Sequence, residues 1–460
     1  MSLLIKTPYT FFKERSYILT LIFTYFFGLE INICKTNDKC VKITNGDNKT
    51  LVIEDCFFGK YKKHWLKKVS LPKQPLIYCD LSYLPFPDKR ASNKIPVIYG
   101  QKKSDSNFVD FSNNKVTLNI DIFGSSFFML TRYEEIVKTK RDNHDRFPST
   151  SSISYQENFL NRPIVNEYLE ILWYCLKYLW PNLVKKKRDF RMIPSHDIDE
   201  PFELLFLSLI NVIKKSAGKV ITNNNPMQML KCLHRWYSVK KSLNNDPFDT
   251  FSWIMNQSEK ANVVSTFNFM FGGTTQFDNP YPLTHPAIKN IILRIKNSPH
   301  KLGFHPSYST AINPETWNKE FSLFKSIYDD NLSDTGGRQH FLRFQAPLTW
   351  RLWQDSGLGY DSTLSFADHA GFRCGICFEY PIYDVISRKQ LSILERPLIA
   401  MDASVIDSRY MGLGYSEKAF DYINQLKSNC KLYNGDFVFL WHNNRLQNNT
   451  EKNFYKELLK

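Results

Sequence analysis

At 460 residues the chain is too long for one ordinary core, so two domains are expected. A hydrophobic share of 43% with 15% aromatic residues excludes a disordered, collagen-like or coiled-coil chain. The net charge of +15 admits an anionic partner, nucleic acid or acidic glycan. The basic runs Lys60-Tyr61-Lys62-Lys63 and Lys185-Lys186-Lys187-Arg188 are short and stand beside no nucleic-acid motif, so they read as solvated surface.

Along the chain, the first apolar run is Tyr17 to Phe27. It is about half the ~20 residues a membrane span needs. Lys13 and Arg15 before it resemble the start of a signal peptide, but Gly28-Leu29-Glu30-Ile31 offers no small-residue cleavage site. The reading is a buried helix stopped by Gly28 in a cytoplasmic protein, with export or membrane association through this run as the alternative. Leu51-Val-Ile and Pro96 to Gly100 are short apolar runs between turn signals, and Val116 to Ile122 alternates as a strand does. Phe127 to Ile136 is helix-like and carries Glu134 and Glu135. Asn166 to Pro181 is an amphipathic helix ended by its proline. The cluster Lys185 to Arg188 marks the expected junction, giving a mixed α/β domain over 1–185 and a second domain over 186–460.

Beyond Asp189, apolar runs end abruptly in chemically capable residues. Phe190 to Pro194 leads into Ser195-His196-Asp197-Ile198-Asp199, and Val263 to Phe271 into Gly272-Gly273. Leu302 to Phe304 leads into His305-Pro306-Ser307-Tyr308, and Phe437 to Trp441 into His442-Asn443-Asn444. Such runs suit strands buried on both faces. Helical stretches at Pro286 to Lys296 and Trp317 to Tyr328 alternate with them. This is the layout of a β/α barrel with its site at the carboxyl ends of the strands. Arg338 to Phe344 alternates, which predicts a strand with Arg338 and His340 on one face and Arg343 on the other. Tyr360-Asp361 is expected at a further strand end. The nine cysteines are odd in number and scattered, as expected of reduced thiols, and Cys374-Gly-Ile-Cys377 has no second pair to complete a zinc knuckle.

Two carboxylates one residue apart, Asp197 and Asp199, can divide the labour of metal ligand and general base, or can serve as a turn and a helix cap. His305 can be a ligand or a satisfied core imidazole. His442, ending a strongly apolar strand, suits a general acid or, again, a hydrogen-bonded core residue.

In order and spacing, these residues resemble the polysaccharide deacetylases of the NodB-homology family. Ser195 to Asp199 is similar to that family's Thr/Ser-aromatic-Asp-Asp motif. Gly303 to Ser309 is similar to its Gly-x-His-x-x-x-His motif, and Trp441-His442 to its late apolar strand. Asp121 to Glu135 with Arg146-Phe147-Pro148 resembles an uncharacterised domain that precedes divergent deacetylase domains in bacterial surface-polysaccharide gene clusters. The resemblance implies a distorted, incomplete (β/α) barrel and a metal-dependent hydrolase that removes an acetyl group from a carbohydrate. It implies Asp197 as base, His442 as acid, and Asp199 and His305 as ligands to a divalent metal ion, zinc first among them. Ile198 separates the aspartates, and Ser309 stands where the family has its second metal histidine, leaving His196 and His340 as candidates for the third ligand. Arg338 or Arg343 stands in for the family's arginine, and Arg338, Arg343, Tyr308, Tyr360 and Asp361 are expected to bind substrate. A catalytically silent relative that binds glycan or scaffolds an assembly, and a hydrolase cleaving another bond on the same barrel, are the competing classes.

Overall fold

Phe12–Leu19 is an α-helix that widens into a π-helical stretch, Thr20–Phe26, with Ile18, Leu19, Ile22, Phe23 and Phe26 buried. Gly28 ends it at φ +72°, and a Cβ there would meet Lys186 Cβ at 2.9 Å, so the stop needs glycine. Among the described residues, no helix is long and apolar enough to cross a membrane. The computed structural model describes residues 2–82, 92–101, 107–214, 227–242 and 246–460.

The chain forms two mixed α/β units. One comprises 1–191, 344–400 and 425–437, the other 192–343, 401–424 and 438–460. The expectation was a single division after residue 185. Instead, segments 344–400 and 425–437 complete the core of the first unit. Its main sheet orders the strands 31–36, 3–8, 41–44, 50–53, 115–118 and 109–112, with 3–8/31–36 and 50–53/115–118 parallel. The expected strand over Val116 to Ile122 ends at Leu118, because Asp121 turns the chain and caps the helix Ile122–Leu130, accepting from Gly124 N at 2.7 Å. The expected helix over 127–136 is two helices, Ile122–Leu130 and Tyr133–Val137, broken at Arg132, whose φ is +52°. The break lets the Arg132 guanidinium reach Glu135 (2.8 Å) and the Met129 carbonyl (2.9 Å). Arg373 donates to both Glu135 oxygens (2.9 and 2.6 Å), completing a buried ion triad. The helix Ile164–Leu179 stops ahead of Pro181 as its sequence requires, and its Asn166 accepts from Cys377 N at 3.0 Å. Cys374 and Cys377 are buried thiols, and none of the nine cysteines is in a disulfide.

The nine-stranded sheet includes the strands β1 (Arg191–Ile198), β2 (Thr266–Met270), β3 (Lys301–His305), β4 (Gly336–Gly337), β5 (Ala400–Met401) and β6 (Asp436–Leu440). They lie in the order β4-β3-β2-β1-β6-β5, and β1, β2, β3 and β4 run parallel. Parallel neighbours need crossover connections, and the helices Pro286–Lys296 and Pro314–Ile327 supply those from β2 to β3 and from β3 to β4. Each begins with proline in the first turn behind a capping side chain, His285 or Asn313. The predicted strand over 338–344 is not formed. The chain leaves β4 into a 3₁₀ turn, His340–Leu342, with Phe341 and Leu342 at φ +59° and +52°.

Candidate active site

β1 places its side chains on alternating sides, which separates His196 from Asp197 and Asp199. His196 is fully buried, donates from Nδ1 to the Trp441 carbonyl at 2.6 Å, and has Nε2 3.3 Å from Ser265 Oγ. Burial pulls its pKa down to about 4, so it stays a neutral core imidazole. It is therefore not the third ligand that the spacing allowed.

Asp197 is buried too, and its contacts are specific. Arg338 Nη1 donates to Oδ1 at 2.9 Å and Asn268 Nδ2 donates to the same oxygen at 2.7 Å. Asn268, on β2, is opposite Asp197 on β1 and opposite Gly303 on β3. A Cβ at Gly303 would lie 2.0 Å from Asn268 Oδ1, so only glycine leaves the amide its place. Arg338 also donates to Ser195 Oγ at 3.0 Å and is fully buried. It holds a carboxylate, rather than presenting a cation to a ligand as expected from the sequence.

Asp199, just past the end of β1, is the less buried of the two aspartates, and three imidazoles surround it. His305 Nε2 lies 3.0 Å from Oδ1, His340 Nε2 3.6 Å from Oδ1, and His442 Nε2 3.6 Å from Oδ2. Burial would raise the Asp199 pKa, but His340, His305 and His442 hold it far below the ordinary carboxylate range. His305, at the end of β3, donates from Nδ1 to the Arg338 carbonyl at 2.6 Å. His340 has Nδ1 3.1 Å from Asp278 Oδ1. Asp278 is itself held by Thr275 Oγ1 (2.7 Å) and Tyr308 N (2.9 Å). The tight approach of β4 to β3 sets this geometry, since a Cβ at Gly337 would sit 1.8 Å from the Phe304 carbonyl oxygen. The left-handed backbone at Phe341 and Leu342 then turns the chain immediately beyond His340.

Asp199, His305 and His340 each offer a ligand atom, and these atoms all lie within 4.8 Å of one another. With Nδ1 of both imidazoles engaged by oxygen acceptors, the Nε2 lone pairs face Asp199, the arrangement that outer hydrogen bonds give to metal-binding histidines. The residues fit a divalent cation held by one carboxylate and two imidazoles, three of the four ligands that a tetrahedral cation takes.

His442 follows β6. Its Nδ1 donates to Asp402 Oδ1 and its backbone N to Asp402 Oδ2, each at 2.7 Å. Burial would lower the imidazole pKa, but Asp402 and then Asp199 raise it to about 9. The sequence reading missed Asp402, although Pro397 to Met401 is another apolar run ending in an acid, the pattern that picked out the other strand ends. It also missed Asn268, hidden inside the apolar run of β2, and Asp278, in a loop with no such signal.

Tyr308 and Arg343 adjoin the His340 side of the cluster. Arg343 stacks over the Tyr308 ring at 4.1 Å and donates to its carbonyl at 2.6 Å. Tyr308 also contacts the Phe277 ring at 4.4 Å and the Phe341 ring at 5.4 Å. Tyr360 and Asp361 belong to the first unit, where Arg396 stacks on Tyr360 and Asp361 accepts from Thr363 N at 2.9 Å.

Residues 3–181 match the model of a family described as of unknown function, DUF7033, the stretch read from sequence as an uncharacterised N-terminal domain. No curated protein matches the chain. Among solved structures, the crystal structure of a proposed polysaccharide deacetylase from Mycobacterium smegmatis is similar at 14% identity and a TM-score of 0.37. The likeness covers 60% of this chain and 84% of that one.

Proposed function

We propose that the second unit is an incomplete (β/α) barrel of the polysaccharide-deacetylase type and that the chain is a metal-dependent hydrolase removing an acyl group, acetyl first, from a sugar. One observation carries this reading: the Asp199–His305–His340 cluster is flanked by a carboxylate held by an arginine and by an imidazole held by a carboxylate. A divalent cation at the three donors, zinc by their type, supplies Lewis acidity toward an acyl carbonyl and eases deprotonation of water.

Asp197 takes the proton of the attacking water. Arg338 and Asn268 both occupy Oδ1, which orients the carboxylate and leaves Oδ2 for that task. Water oxygen bonds to the acyl carbon, and the bond from that carbon to the sugar nitrogen or oxygen breaks. His442 delivers a proton from Nε2 to the leaving amine or hydroxyl, while Asp402 holds Nδ1 and offsets the imidazolium charge. Tyr308, beside His340, and the Arg343 that stacks on it are proposed sugar contacts.

The test is acetate release from N- and O-acetylated sugars by the purified full-length chain supplied with zinc. Asp197→Asn and His442→Gln are each expected to lower turnover by about 10²–10⁴-fold at unchanged metal content. If the wild type releases no acetate from any of these sugars yet binds the glycans, the protein is a silent relative rather than a hydrolase.

A further inference from the structure

From Leu204 to Asn245 the sequence contains no Asp or Glu. The described parts of this stretch include a helical segment at 209–214 and the helix Met227–Lys241. Both are rooted in the second unit. Trp236 Nε1 donates to the Leu207 carbonyl at 3.0 Å, Lys240 Nζ donates to the Leu205 carbonyl at 2.7 Å, and Asp246 accepts from Glu203 N at 2.8 Å and Leu204 N at 2.9 Å. Val212 and Val239 are buried, so each helix already has an inward side.

The outward sides are apolar as well. Leu209 is 47% exposed, Ile210 65%, Leu230 60% and Tyr237 57%. Exposed cations are interleaved with them: Lys214, Lys231, Arg235 and Lys241. An open groove of about 540 Å³ has Leu230, Lys231, His234, Arg235 and Ser238 among its walls, placing nitrogen donors beside an apolar side chain.

We propose that residues 209–214 and 227–242 form a docking surface for an anionic phospholipid bilayer, lying on it without crossing it. Large apolar side chains exposed among cations, with no acid over more than forty residues, match the surface of such a bilayer in charge and in polarity. Nucleic acid or an acidic glycan would use the cations but would leave the apolar side chains in water. The stretch follows β1 directly beyond Asp199, so it leaves the sheet at the strand end that carries the candidate cluster. Docking does not depend on the hydrolase reading, and the two can fail separately.

The test is co-sedimentation of the full-length protein with vesicles of phosphatidylcholine, with and without phosphatidylglycerol. Binding is expected on the phosphatidylglycerol vesicles, falling steeply with added salt. Replacing three cations together (Lys214→Gln, Lys231→Gln, Lys241→Gln) is expected to weaken it roughly a hundredfold, at about a decade or less per cation. Ile210→Ser with Leu230→Ser is expected to weaken it at least roughly tenfold, at unchanged circular dichroism and unchanged hydrolysis of a water-soluble acetylated sugar. The proposal is overturned if the wild type does not sediment with the anionic vesicles. It is equally overturned if Ile210→Ser with Leu230→Ser binds them as the wild type does, if that variant abolishes a dimer in solution, or if binding is as tight to dextran sulfate.

Discussion

Replacing Arg338 by Met removes the donor 2.9 Å from Asp197 Oδ1 and 3.0 Å from Ser195 Oγ. The side chains of the pair are 1% and 3% exposed, so water cannot take over the lost contact. Removing one partner of a buried ion pair costs about 3–5 kcal/mol, because the other charge is left uncompensated. Arg338→Met and Asp197→Asn should each fall in that range. The double variant leaves no buried charge, and the Asn268 amide can turn to the new partner, so its cost should be below the sum of the two by about 2–3 kcal/mol. Urea titrations of the wild type, both single variants and the double variant measure this. A coupling within about 0.5 kcal/mol of zero would refute the pairing on which the placement of Asp197 depends. Arg338 acts through Asp197 and does not touch substrate in the proposed reaction. Arg338→Met should therefore lower kcat while leaving KM and zinc content near those of the wild type, and a change confined to KM would return it to the role of a substrate contact.

Asp402→Asn keeps the shape of the His442 partner and removes its charge, so turnover should fall about 10²–10⁴-fold at unchanged metal content; unaltered turnover would make His442 a core histidine. His340→Ala should abolish binding of zinc measured by calorimetry, whereas His196→Ala should retain zinc and lower Tm, because only His196 is spent on Trp441 and Ser265; the reverse pattern would reassign the cluster. In the first unit, burial pushes the Glu135 carboxyl up, but Arg373 and Arg132 outweigh it and hold it at about 2 against an ordinary 4.5. A carboxyl with a depressed folded pKa contributes fully above about pH 4.5 and loses that contribution as pH falls toward 2, on the order of 3 kcal/mol here. Acid unfolding followed by circular dichroism should be less steep over that window in Glu135→Gln than in the wild type, and superimposable slopes would refute the triad's role.

The parallel strands were legible wherever a residue had to be apolar on both faces. Val263 to Phe271, Leu302 to Phe304 and Phe437 to Trp441 announced β2, β3 and β6, and the helix Pro286–Lys296 was bounded by its own proline and lysine. Alternation misled over 338–344, where Arg338 and His340 do serve one site but from the stretch after β4 and a 3₁₀ turn, because backbone at positive φ cannot be inferred from side-chain polarity. It misled again at Val116 to Ile122 and across Arg132. There a capping aspartate bonded to Phe57 and a left-handed arginine bonded to the Arg373 carbonyl, partners remote in sequence, end elements that local pattern would prolong.

The site divides in the same way. Asp197, Asp199, His305 and His442 stood out because an ionisable side chain at the end of a buried strand needs a partner or a task. That requirement is local, so one chain segment reveals it. The partner's identity is not local. His196 and His340 were equal candidates until strand alternation turned one to the core and β4 carried the other to Asp199, and Arg338 looked as fit to meet substrate as to hold Asp197. Asp402 and Asp278 orient His442 and His340 across gaps of 40 and 62 residues, and only the folding of distant strands side by side sets those distances. Burial of apolar runs is written residue by residue, whereas hydrogen-bond partnership belongs to the tertiary structure.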